Sequence, residues 1–81
     1  LDAQGKASDE ANELLEFVME EWKPLRNQCE ASGIKLDDED RRSTEEAISL
    51  AKDAHKAGRI DEALESLGLA DGFMERLRRK V

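Results

Sequence analysis

Ala11, Leu15, Val18, Trp22, Leu25 and Cys29 recur at spacings of 4, 3, 4, 3 and 4, and Ala63, Leu67, Ala70, Met74, Leu77 and Val81 repeat the same rhythm near the chain's end. An apolar repeat averaging about 3.5 residues is the seam of a helix packed lengthwise on another helix. The composition agrees. With two Val, three Ile and no Tyr, the chain lacks the β-branched and aromatic residues that strands draw on, and it is rich in Ala, Leu, Glu, Lys and Arg, which favour helix. At 81 residues there is room for one small core and no second domain. The predicted fold class is all-α, an antiparallel three-helix bundle with a C-terminal helical hairpin.

Ser8 followed by Asp9 and Glu10 reads as an N-cap with acids in the first helical turn. Residues 1–7 therefore read as a loose lead-in to a single three-helix domain over residues 8–81, with helices near 9–31, 38–57 and 61–80. Gly33 is placed to close helix 1 in a left-handed conformation. Pro24 interrupts that helix's hydrogen bonding, yet the apolar register continues in phase to Cys29, so a kink is expected and not a break. Asp37, Asp38, Glu39 and Asp40 suit the start of helix 2. They do not alternate with a glycine and a distal Glu as a calcium loop would, and Arg41 and Arg42 follow at once.

Helix 2 should turn Ala47, Ala51 and Ala54 to one side, flanked by Ile48 and Leu50. Gly58 should end it, with Asp61 as the N-cap of helix 3 and Ile60 as a hydrophobic staple before it. A linker of about three residues makes helices 2 and 3 an antiparallel hairpin. On a helical wheel, Leu69 and Phe73 lie to one side of the helix 3 stripe and Leu64 to the other. The apolar arc then spans roughly 220°, more than a one-sided surface helix needs.

The stretch Ala47 to Arg79, AISLAKDAHKAGRIDEALESLGLADGFMERLRR, resembles the archaeal domain-of-unknown-function 357 family. Asp53-Ala54, Gly58, Ala63, Ala70, Gly72 and Leu77-Arg78 carry the resemblance. It implies a helical hairpin and no particular activity. The Gly58-to-Ala63 spacing is also similar to the turn of a tetratricopeptide repeat, but a repeat protein stacks several units and no second copy of the pattern is present.

Twenty acidic against 13 basic residues give a net charge of −7, which disfavours a nucleic-acid or anionic-membrane partner. The acidity is concentrated in residues 1–50. No apolar run approaches the roughly 20 residues that cross a bilayer. A single cysteine, Cys29, offers neither a disulfide framework nor a thiolate cluster, and a reducing, cytoplasmic setting is the simpler expectation. Cys29 continues the helix 1 stripe and reads as a buried small hydrophobe. His55, the one histidine, falls at the edge of the alanine face. Nothing supplies the orienting group and oxyanion hole that a Cys–His nucleophile needs, and the dispersed glycines form no phosphate cradle. The chain is therefore expected not to be an enzyme, and to hold no cofactor, metal or small-molecule substrate.

What the stripes leave over is a candidate interface on helix 3: Leu64, Gly68, Leu69, Gly72, Phe73 and Arg76. It suits a protein partner or a second copy of the chain. Arg76, Arg78, Arg79 and Lys80 complement the helix dipole at the C-terminus. A nucleic-acid contact through this cluster is the alternative reading, although it lacks the interleaved aromatics of a stacking platform.

Overall fold

The repeats are realised as α1 (Asp2–Ala31), α2 (Glu39–Lys56) and α3 (Ile60–Lys80) in a computed structural model that describes residues 2–81. The helices run up, down and up. Nε2 of His55, at the end of α2, lies 3.2 Å from the carbonyl oxygen of Ser8 near the start of α1. Lys80, ending α3, meets Asp38 and Asp40 at the start of α2. The result is a bundle 48 Å long and 17 by 16 Å across.

Both interhelix turns close in the same way, which the two glycines make possible. Gly33 and Gly58 adopt φ of 82° and 81°, where an L side chain is strained. At the first turn the Ile34 N–H donates to the Cys29 carbonyl and the Gly33 N–H to that of Glu30. At the second, Arg59 donates to Ala54 and Gly58 to His55. These are paired Schellman bonds, and they satisfy carbonyls that a helix end would otherwise leave open.

Helix starts depart from the sequence expectation in two places. The lead-in is not loose over residues 2–7: α1 begins at Asp2, and Ser8 lies inside it. Ala3, Gln4, Lys6 and Ala7 are good helix formers and carry the helix across Gly5, so a capping residue downstream does not stop the helix from extending past it. Leu1 lies outside the described residues. At α3 the cap is Arg59, without a side-chain capping bond, and Ile60 is the first helical residue. The Ala63 N–H donates to the Arg59 carbonyl, so Asp61 sits within the first turn and is not the N-cap. The tight turn at Gly58 brings the chain into helix directly. At α2, Asp38 caps as its acidity suggests, accepting from the N–H groups of Asp40 and Arg41. Across Pro24, α1 is unbroken.

The core is made of the two stripes together with the alanine face of α2. Ala11, Leu15, Val18, Trp22, Leu25 and Cys29 are buried from α1, and Ala63, Leu67, Ala70, Met74 and Leu77 from α3. Val81 is exposed, because α3 ends one residue before it. Ala47, Ala51 and Ala54 are buried on α2, and Ile48 with them. The small side chains let backbones approach closely.

Two buried polar residues of α2 were not evident as core. Thr44 donates through Oγ1 to the Asp40 carbonyl at 2.7 Å, which satisfies its hydroxyl inside the helix. Arg41 is only 2% exposed. It donates to the Ile34 carbonyl at 3.3 Å and to Glu30 at 3.0 Å, bridging α1, the intervening turn and α2. Its Nε has no protein partner.

The clasp between Lys80 and the acids at the start of α2 is expected to give the fold a pH dependence. Its Nζ lies 2.9 Å from Asp40 Oδ2 and 3.1 Å from Asp38 Oδ2. The hydrogen bonds to Asp40 and then Asp38 raise the Lys80 pKa. The bond from Lys80, helped by the N–H groups of Arg41 and Asp40, holds the Asp38 carboxyl below its ordinary 3.8. A depressed carboxyl contributes stability above its unfolded pKa and loses it as pH falls through the folded value. The stability difference between the wild type and Lys80→Met is therefore expected to shrink as pH is lowered below about 4. Thermal unfolding of both proteins across that range checks it, and a constant difference would count against the clasp.

Candidate functional site

Outside the core, three large apolar side chains meet between α2 and α3 on the side away from α1. Leu50 is 60% exposed and Leu69 54%, and Phe73 is half-buried. Leu50, Leu69 and Ser66 line both of two adjoining grooves of about 350 and 210 Å³, and Phe73 lines the smaller. Acidic residues border them: Asp53, Glu62 and Glu65 at one end and Glu46 at the other, against Arg59. Arg59 is itself paired with Glu62 at 2.9 Å. The guanidinium of Arg76 stands 5.9 Å over the Phe73 ring, a cation–π distance.

The six residues expected to form one interface are thus divided. Leu69, Phe73 and Arg76 belong to the α2 edge of α3, and Leu50 of α2 joins them. Leu64 projects at roughly 140° from Leu69 on the helix circumference, on the α1 edge, and Gly68 lies close to it. Gly72 is on the exposed back. The reason is geometric: an arc wider than a single stripe spills over both of its edges, and each edge meets a different neighbour. Leu50 could have been found from its place beside the alanine face, since a leucine off the stripe on a short helix has no core to enter.

A β-carbon built on Gly68 or Gly72 meets nothing within 4 Å, so no helix of this chain approaches closely there. Gly68→Ala and Gly72→Ala are each expected to stabilise the fold by up to about 1 kcal/mol, the helix-propensity difference. Chemical denaturation of the single variants measures this. A loss of stability on either substitution would contradict the open space around it.

The remaining chemistry-bearing side chains are dispersed. His55 contacts the Ser8 carbonyl, whereas Cys29 lies about 30 Å further along α1 at 1.5 Å per residue. The two are not brought together. Cys29 is fully buried, and burial pushes its thiol pKa up, away from a reactive thiolate. Among the described residues no group of three or more His, Cys, Asp or Glu side chains is placed to hold a metal ion, and no helix is long and apolar enough to cross a membrane.

The C-terminal basic cluster is largely occupied within the chain. Arg78 pairs with Glu21 of α1 and with Glu75, Lys80 with Asp38 and Asp40, and Arg76 reaches Asp40 at 3.8 Å. These pairs tie the end of α3 to both other helices.

A further groove, of about 410 Å³, runs between α1 and α2 and was not apparent from the stripes. Met19, Trp22 and Ile48 line it, and Lys23, Arg26 and Lys52 stand around it with Glu45 and Ser49. The signal lay in the charges: Lys23 and Arg26 follow Trp22 in a stretch of α1 otherwise dominated by glutamates. Comparison of the chain with protein-family models, with curated proteins and with solved structures gave no match.

Proposed function

We propose that the domain is a non-catalytic helical module that works by protein–protein contact in a reducing, cytoplasmic setting. The observation that carries this reading is the exposure of Leu50 and Leu69 along one groove with Phe73. Exposed large apolar side chains gathered into a continuous patch mark interaction surfaces, and a groove between two helices suits a partner that lays side chains into it. The dispersal of Cys29 and His55 supports a role without catalysis. Internal pairing of Arg78 and Lys80 favours the structural reading of the basic tail over a nucleic-acid contact. The likeness of residues 47–79 to the archaeal domain-of-unknown-function 357 family stays a proposal: it is compatible with the hairpin of α2 and α3, a feature many families share.

A photo-cross-linking residue placed at position 69 tests the reading in cells of the source organism. It is expected to form a discrete protein adduct that is absent when the cross-linker replaces Glu75, and lost on adding Leu50→Glu. Adducts at neither position, or equal adducts at both, would remove the groove as the contact surface.

A further inference from the structure

The basic groove between α1 and α2 has the opposite sign to the molecule that carries it. Three cations, Lys23, Arg26 and Lys52, face one acid, Glu45, on a chain of net charge −7. All three cations are exposed, and none enters an ion pair among the described residues. Arg41, Arg59, Arg76, Arg78 and Lys80 each have a carboxylate partner, whereas these three share their unpaired state with Lys6, Lys35, Arg42, Lys56 and Arg79 but are the ones gathered around an apolar groove. The groove's cations are thus available over an apolar floor.

The same helix carries the complement on its other side. Leu14 and Phe17, one turn apart on α1, are 38% and 56% exposed. Glu10 and Glu13 lie one turn before them, both exposed and within reach as i, i+4 neighbours. Phe17 and Met19, two residues apart, project roughly 160° from each other. One edge of α1 therefore offers two apolar anchors set among carboxylates, and the opposite edge borders an apolar slot set among cations.

We infer that the groove receives the Leu14–Phe17 edge of a second copy of this chain. Phe17 and Leu14 cover Met19, Trp22 and Ile48, while the glutamates around them meet Lys23, Arg26 and Lys52. Complementary charge sets the register and speeds encounter. Because the two surfaces differ and lie on opposite edges of one helix, the contact is heterologous. It leaves a free groove at one end and a free edge at the other, so copies add head to tail. The inference rests on reading the domain as a contact module, but it uses a surface distinct from the Leu50–Leu69 groove.

Sedimentation velocity on the purified domain decides the matter. At low salt the mean mass should keep rising with concentration past that of a dimer, and association should weaken at least tenfold at high salt as the charges are screened. Phe17→Ser and the double variant Lys23→Glu/Arg26→Glu, each shown to be helical by circular dichroism, should both be monomers. Mixed in equal amounts they should form a 1:1 dimer that grows no further, since each retains the surface the other lacks. A monomer at every concentration overturns the inference, as does undiminished self-association of either variant or a mixture that fails to pair. The cross-linking result at position 69 is independent of all of these, so each reading can fail alone.

Discussion

Leu67→Ala is expected to lower the thermal unfolding midpoint by about 8–40 °C. Leu67 is buried in the core cluster with residues of both other helices, and truncating such a leucine costs about 2–5 kcal/mol, the larger values applying where the cavity stays open. Here it should stay open. The core cluster includes Ala47, Ala51 and Ala70, whose side chains are too short to swing into a space left beside them. An 81-residue chain at roughly 0.05–0.15 kcal/mol per residue holds only about 4–12 kcal/mol in all, and in domains of this size each kcal/mol moves the midpoint by about 4–8 °C. Leu69→Ala, two residues along the same helix, should change stability by no more than about 0.5 kcal/mol. Equal effects at the two positions would mean that the faces of α3 are assigned wrongly.

Arg41→Ala should cost about 2–4 kcal/mol, and Arg41→Met about 1 kcal/mol, despite losing the same charge. The alanine leaves a cavity where the stem and guanidinium stood, and it removes the donor to the Ile34 carbonyl and to Glu30. The methionine keeps the packing and no longer buries a charge whose Nε has no protein partner. Volume-conserving exchanges of this kind usually cost little in a core. Urea unfolding with an unchanged slope gives both values. If methionine proves as damaging as alanine, the bonds across the turn hold α1 to α2, and the bulk of the side chain does not.

These two residues mark what can and cannot be read from a sequence like this. Leu67 is legible because its stripe repeats over five spacings and each apolar residue supports the next. Arg41 is not, since an arginine after an acidic run looks like a solvated flank. The register was nonetheless there: stepping back from Ala54 through Ala51 and Ala47 by threes and fours reaches Thr44 and then Arg41. Periodicity identifies the buried face of α2, but polarity hides its first turn, where buried groups are satisfied by bonds that no pattern announces. The start of α1 escaped for a different reason. A capping residue marks where a helix can begin, and good helix formers before it decide whether it begins sooner. The candidate surface was half legible: its helix 3 residues followed from the width of the apolar arc. That Leu64 and Leu69 face different neighbours, and that Leu50 joins Leu69, follows from the placement of the other two helices, which no single-helix wheel contains.

The short connection between α2 and α3 orders events in time. Residues 57–59 separate the two helices, and the α2–α3 contact is the most extensive of the three. Closing a loop this small costs little chain entropy, so the hairpin can form while α1 is still unattached, in keeping with the speed of folds rich in local contacts. Disturbing the Gly58 turn is then expected to slow folding, and loosening the packing of α1 chiefly to quicken unfolding. In amide exchange α1 becomes the shutter of the molecule. Its amides are expected to exchange before those of the hairpin.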